Sequence, residues 1–374
     1  MNILVAPNSM KGSLSAFDFA NTVEEALLKY SPLLSIRKVP VADGGDFTGE
    51  VLAKAFHAEK VEITVCGPLG KKVKSQYFIS GETAIIEMAD ASGMKLIEKK
   101  DLNPLTATSY GTGELIADAV SKNCKKIFLA VGGSATVDGG MGMLNAFGIR
   151  FFDQNGTELP GKGENLEKVV EIISPESFPE VSIKIICDVD NPLLGETGAA
   201  AVFGPQKGAT PEMVIRLERG LKNWAEILQK KTGKKIFELP GAGAAGGVSA
   251  GLISFFDAEI VPGADFVLSK INFGEHMKWA DLVITGEGKI DSQTLNNKAP
   301  FVVARRARKL GKPVVAIGGQ IDLKTQTVFD FVFSTGDNVE IEYAIKNARQ
   351  LLFDFTLKNA GEIEKLTQRT KNER

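Results

Sequence analysis

Apolar positions along the chain fall into short runs and helical stripes. Ile3–Ala6 is an uninterrupted apolar run of strand length, ending in Pro7-Asn-Ser-Met-Lys-Gly-Ser. Ser15 and Asp18 form a helix-capping pair, and Phe17, Ala20, Val23, Ala26 and Leu27 recur at helical spacing, which predicts a helix to about Tyr30. Ser35–Val41 reads as a second strand, stopping at Ala42-Asp43-Gly44-Gly45. Strand, helix and strand in so short a length predict a βαβ unit and a parallel sheet. The far end repeats this grammar. Trp279–Thr285, Pro313–Ile317 and Phe329–Ser334 read as strands, about Phe301–Leu310 as a helix, and about Glu340–Leu366 as one long helix. Between the two ends, short strands flank Gly67-Pro-Leu-Gly, Ser80-Gly-Glu and Asp153-Gln-Asn-Gly. These are hairpin signals and predict a mixed or antiparallel sheet. The expectation is an α/β protein with a parallel domain built from both chain ends (1–60 plus 280–374) and an inserted mixed-sheet α/β domain (61–279).

Composition narrows the function. The 44 Lys+Arg against 46 Asp+Glu give a net charge of −2, which excludes a protein that holds nucleic acid or an anionic membrane by bulk charge. No apolar run approaches the ~20 residues of a membrane helix, and Met1–Pro7 reads as a strand rather than a signal segment. Two histidines rule out a His-rich metal site, and three scattered cysteines form neither a disulfide framework nor a thiolate zinc site. The expected protein is cytoplasmic, without nucleic-acid or membrane partners, and a monomer or homodimer.

Glycine is the enriched residue, at 39 of 374, and it gathers where predicted strands end. The segments Pro7–Ser13, Asp43–Asp46, Gly132–Gly140, Asp188–Asp190, Gly241–Gly247, Gly286–Asp291 and Gly318-Gly319 mix glycine with acids or hydroxyls. Ligands of open α/β sheets sit outside the carboxyl ends of strands, where glycine lets backbone N–H groups approach an anion. One such loop is ordinary turn chemistry; seven, several with carboxylates, predict a phosphate and metal cleft. Standard nucleotide motifs fit poorly. Gly156–Gly163 has Walker A spacing, but Gly163 stands where Ser or Thr is needed. Gly241-x-Gly243-x-x-Gly246 matches the dinucleotide fingerprint, yet Pro240 interrupts the weak strand before it.

Read together, the loops resemble the bacterial type I glycerate kinase family. The resemblance is carried by Pro7-Asn-Ser-Met-Lys-Gly-Ser, Val39-Pro-Val-Ala-Asp-Gly-Gly, Ala107-Thr-Ser-Tyr-Gly-Thr-Gly-Glu and Val131-Gly-Gly-Ser-Ala-Thr-Val-Asp-Gly-Gly. Cys187-Asp-Val-Asp-Asn-Pro, Ala201-Val-Phe-Gly-Pro-Gln-Lys-Gly, Leu239-Pro-Gly-Ala-Gly-Ala-Ala-Gly-Gly and Asp281-Leu-Val-Ile-Thr-Gly-Glu-Gly-Lys-Ile-Asp continue it in order. The resemblance implies a flavodoxin-like domain from the two ends and phosphorylation of D-glycerate by ATP with Mg2+, with 2-phosphoglycerate favoured over 3-phosphoglycerate. The chain departs from the family pattern at Asn8, where Asp is usual, and at Asp46-Phe47, where Glu-Gly is usual.

Phosphoryl transfer asks the protein to neutralise phosphate charge and orient a hydroxyl. Lys11 and Ser13, in a glycine-containing loop before a helix, are expected to bind the glycerate carboxylate or a phosphate; a solvated lysine and a capping serine are the plainer alternative. Asp43 is the expected base. Asp188 and Asp190 are assigned to metal or substrate positioning, and Glu287 and Asp291 to the opposing wall of the substrate site. Gly132, Gly133, Ser134 and Thr136 are expected to meet the ATP phosphates. The basic cluster Arg305, Arg306, Arg308 and Lys309 reads as a solvated helix face. Two other functions compete: an NAD(P)-dependent oxidoreductase using the Gly241–Gly246 loop, and a non-catalytic nucleotide-binding protein, which Asn8 keeps in view.

Overall fold

The computed structural model describes residues 1–237, 239–292, 294–295, 297–322, 328–337 and 339–372. Its strands, in chain order, are β1 (Asn2–Val5), β2 (Ser35–Lys38), β3 (Glu59–Cys66), β4 (Lys72–Ser80), β5 (Thr83–Glu87), β6 (Lys126–Ala130) and β7 (Arg150–Phe152). They continue with β8 (Glu158–Leu159), β9 (Glu171–Ile173), β10 (Ser182–Cys187), β11 (Asp257–Pro262), β12 (Leu282–Ile290), β13 (Val314–Ile321) and β14 (Phe331–Ser334). The chain divides into two compact units, Met1–Ala55 with Pro262–Arg374, and Phe56–Val261.

In the unit made from the chain ends, β14-β13-β12-β1-β2 form one sheet in that order, and every pairing is parallel. Counted from β2, this is the 2-1-3-4-5 order of flavodoxin-like folds, and its switch point lies between β1 and β12. Ile3, Val5, Leu282, Ile284, Val315 and Ile317 pack against Phe19, Val23 and Leu27 of the helix Ala16–Tyr30, and against Leu352 and Ile363 of the helix Ala348–Asn372. Each such buried side chain is worth about 1.5–3 kcal/mol of transfer free energy.

Local signals set most of these elements. Ser15 caps its helix as expected: its hydroxyl accepts the Asp18 N–H at 3.0 Å and donates to the Asp18 carboxylate at 2.7 Å. The buried stripe differs slightly, because Phe19 enters the core while Phe17 is half-buried beneath Lys54. Trp279 ends a helix, Phe273–Trp279, and the strand begins only at Leu282. That strand then runs through the expected loop to Ile290. Gly286 permits this, since a Cβ there would lie 2.0 Å from the Ile317 carbonyl of the neighbouring strand. The long terminal helix is broken at Asn347, between Ile341–Lys346 and Ala348–Asn372. The Asn347 amide side chain and its backbone N–H both donate to the Tyr343 carbonyl, each at 2.9 Å, closing the shorter helix at that point. The helices Gly263–Lys270 and Phe273–Trp279, read from sequence as part of the insert, group with the chain ends. Gly263 packs directly on the Asp43 backbone, and Asp265 pairs with Arg305 at 2.8 Å and Arg306 at 2.7 Å, so that basic face is only partly solvated.

The second unit holds a six-stranded sheet, β11-β10-β6-β5-β4-β3, and a three-stranded sheet, β8-β7-β9. β3, β4 and β5 are antiparallel, joined at the two turns the sequence marks, while β5, β6 and β10 run parallel. The sheet is therefore mixed, as the hairpin signals require.

Candidate active site

The unit of the chain ends carries a cavity of about 310 Å³ at its switch point. Ser9, Lys11 and Ser13 after β1 line it, with Glu287, Gly288 and Lys289 of β12, Lys298, and apolar residues including Ile341 and Ile345. Glu287 is on a paired strand rather than a loop, opposite Gly318 of β13, so its backbone is fixed. It is buried, with the Thr294 hydroxyl donating to it at 2.6 Å. Burial pushes its carboxyl up to about 7; Lys298 and the Thr294 hydroxyl oppose that shift, while Asp43 and Asp291 add to it. Thr294 also accepts the Asp291 N–H at 3.0 Å, and Asp291 pairs with Lys289 at 3.3 Å.

Asp43 lies beside this group but is not among the residues lining the cavity. Its carboxylate accepts Asn8 Nδ2 at 2.9 Å, Gly45 N–H at 3.3 Å and Ala299 N–H at 3.5 Å, the last at a helix N-terminus. Both carboxylate oxygens of Asp43, the base expected from sequence, thus already accept protein donors. Asn8 is buried and matched to Asp43. A carboxylate at position 8 would face Asp43 with like charge, so the amide here is a coherent exchange. Phe47, where the family pattern has glycine, is held at a φ of 66°, a left-handed conformation that costs a residue with a Cβ about 1–2 kcal/mol. Lys11 is exposed, and the Ser13 hydroxyl donates to the Met10 carbonyl at 3.1 Å, so Ser13 is in part the turn cap of the plainer alternative.

The second unit carries the glycine-rich loop that follows β6. Gly132 and Gly133 are half-buried at its surface, whereas Ser134 and Thr136 are buried. Thr136 is sealed from solvent, and its Oγ1 has no hydrogen-bond partner among the described residues. Two groups missed from sequence hold the loop. Asp138, fully buried, accepts the Ser109 N–H at 2.8 Å, the Ser109 hydroxyl at 2.7 Å, and the N–H groups of Gly140 and Gly142 at 3.1 and 3.3 Å. Burial raises its pKa against the pull of those donors. Lys207, also buried, donates to Ser134 Oγ at 2.9 Å and to the Thr136 carbonyl at 2.7 Å. Desolvation pushes its pKa down to about 7, partly offset by Asp138. The sequence signal for both was their place inside the quoted motifs, where each is the one charged residue.

Asp188 and Asp190 follow β10, which pairs in parallel with β6, so both sit at the same carboxyl edge of the sheet as the glycine loop. Asp188 is half-buried and Asp190 exposed. Among the described residues no cluster of three or more His, Cys, Asp or Glu could hold a metal. Two hard carboxylate donors still fit magnesium, which keeps waters and substrate phosphates as its other ligands. The Gly241–Gly246 fingerprint lacks its context: no strand precedes it among the described residues. Its glycines serve close packing instead, since a Cβ on Gly243 would lie 2.2 Å from the Pro192 carbonyl and one on Gly246 2.1 Å from that of Thr136.

A parallel α/β unit with an acid- and lysine-lined switch-point cavity, and a second unit with a glycine loop braced by a buried lysine, place polar groups at strand carboxyl ends, where α/β enzymes bind their ligands. The glycerate kinase family model matches residues 3–362, and the chain belongs to that family. A glycerate kinase from Halalkalibacterium halodurans is 43% identical over 88% of each chain. A glycerate 2-kinase from Escherichia coli K12 is 42% identical over 86% of each. A crystal structure assigned to glycerate kinase 2 of Salmonella typhimurium LT2 is 39% identical and superposes with a TM-score of 0.83, covering 98% of this chain and 99% of that one. The protein is thus an enzyme of the kinase class, and nothing in these relatives supports the oxidoreductase alternative. No described helix is long and apolar enough to cross a membrane.

Proposed function

We propose that the protein transfers the γ-phosphoryl group of ATP to the 2-hydroxyl of D-glycerate, releasing ADP and 2-phosphoglycerate. The observation that carries this reading is Glu287, a buried carboxylate on a fixed strand facing a lysine-lined cavity. A base is most effective when its pKa lies near the working pH, and Glu287 has been moved there. In this reading the substrate hydroxyl gives its proton to Glu287 as its oxygen bonds to the γ-phosphorus and the bond to ADP breaks. Asp43, held by Asn8, orients the loop beside it. Lys11 takes the glycerate carboxylate, while Lys298 and Lys289 add positive charge. On the second unit, Gly132, Gly133 and Ser134 would contact the ATP phosphates, and Asp188 and Asp190 would hold Mg2+. Magnesium, when bound, neutralises charge on the transferring phosphoryl group. Three cysteines outside any disulfide suit a reducing cytoplasm.

The choice of the 2-hydroxyl is supported by the name of the Escherichia coli relative. It is tested by supplying enolase alone as coupling enzyme. Phosphoenolpyruvate should form in step with ADP; ADP release without phosphoenolpyruvate assigns the 3-hydroxyl instead, and no ADP release with D-glycerate ends the kinase reading. Lys11→Ala should raise the KM for glycerate about tenfold or more while leaving that for ATP within about twofold, as expected for loss of one charge-assisted contact. Equal effects on both substrates would remove Lys11 from the carboxylate.

A further inference from the structure

Lys207 is sealed inside the second unit, 73 residues along the chain from the serine it touches, and the charge of Asp138 favours its ammonium form against desolvation. An ammonium has only donors, so its bond to Ser134 Oγ occupies a lone pair of that hydroxyl. The hydroxyl proton is then left to point elsewhere. Among the described residues nothing accepts it, although Ser134 is only 4% exposed. The same loop spends its acceptors inward: the Gly133 carbonyl takes the Met94 N–H at 2.9 Å, and the Thr136 carbonyl takes Lys207. The N–H groups of Gly132 and Gly133 have no acceptor among the described residues. A loop whose Gly132 and Gly133 N–H groups and Ser134 hydroxyl proton are unspent is a surface for an anion.

We propose that Lys207 is a positioning residue that fixes the Ser134 hydroxyl as a hydrogen-bond donor to a phosphate oxygen of the nucleotide. This rests on the reading of the Gly132–Ser134 loop as the phosphate contact. Lys207 itself never reaches the ligand; its charge is transmitted through the serine, which a cationic partner makes a stronger donor.

The test is a double-mutant cycle on the full enzyme, using Ser134→Ala, Lys207→Met and the pair, read by the KM for ATP, the KM for D-glycerate, and the Kd of MgADP by calorimetry. Ser134→Ala and Lys207→Met should each raise the ATP KM and the MgADP Kd about tenfold or more, with the glycerate KM within about twofold. The double variant should be no worse than Lys207→Met alone, because both remove the same donor. If Lys207→Met does not fold, Lys207→Gln, which keeps one donor to the serine, replaces it in the cycle. It should fall between wild type and Ser134→Ala. Additive losses would overturn the proposal while leaving the loop as the phosphate site. A fall in thermal stability with unchanged ATP KM in both single variants would reduce Lys207 to a structural role and would also overturn the loop reading. The two failures are thereby separable.

Discussion

Glu287→Gln should lower kcat by about 10²–10⁴-fold, the usual loss when a positioned acid–base group is removed. The same substitution should make the protein more stable at alkaline pH. In the fold the Glu287 carboxyl is pushed up from 4.5 to about 7, chiefly by burial, so its neutral form is favoured. A folded pKa above the unfolded value contributes stability that is fully present below about 4.5 and is lost as pH rises through about 7. Above that the wild type carries an unfavourable contribution on the order of 3 kcal/mol, which an uncharged glutamine does not. Thermal unfolding from pH 5 to 8.5 should show the variant gaining on the wild type up to about pH 7 and holding that gain above it. In parallel, the wild-type kcat/KM should fall on the acid side of about pH 7, as Glu287 is protonated, and the variant should lack that limb. An activity loss smaller than about fivefold would move the base elsewhere, Asp43 being the next candidate.

Asp138→Ala is expected to be the most destabilising single change in the second unit. The carboxylate collects four hydrogen bonds in a fully buried position, and its charge offsets that of Lys207. Removing it strands those donors and leaves a buried cation without its counter-charge. Breaking a buried charge pair from one side costs about 3–5 kcal/mol. At about 2–4 °C per kcal/mol for a unit of this size, the midpoint should fall by about 10 °C. Trp224 is a built-in reporter, since its indole N–H donates to the Gly139 carbonyl at 2.9 Å, one residue from Asp138. Its emission should shift with the transition, and a midpoint within about 2 °C of wild type would show that the loop is held by something else.

The two sites differ in how far the sequence revealed them. Lys11, Asp43, Glu287 and Asp291 were singled out because each stands at a predicted strand end, and in a flavodoxin-like sheet strand ends converge on the switch point. The proposed phosphate loop is marked in the sequence by its glycines, but its supports are not. Asp138 answers to Ser109, 29 positions away, and Lys207 to Ser134, 73 positions away. No periodicity or cap encodes such partners. A lone lysine after Gly-Pro-Gln reads as solvated, and only enclosure by the fold makes it a buried cation with two fixed acceptors.

By itself the sequence determined what depends on neighbours within a few residues. The Ser15 cap, the hairpin turns at Gly67–Gly70 and Ser80–Glu82, and the order of strands and helices at both ends are local balances of backbone hydrogen bonding and side-chain burial; the cap and turns arise where the pattern puts them, and the order holds with shifted bounds at Trp279 and a break at Asn347. Tertiary structure decided whatever required two distant segments to meet. It extended β12 through Gly286 to carry Glu287, because pairing with β13 outweighs the turn preference of glycine. It drew residues 262–279 to the chain ends, where Asp265 finds Arg305 and Arg306. It also moved the pKa of Glu287 and of Lys207 toward neutrality, since desolvation is a property of the enclosed position and not of the residue.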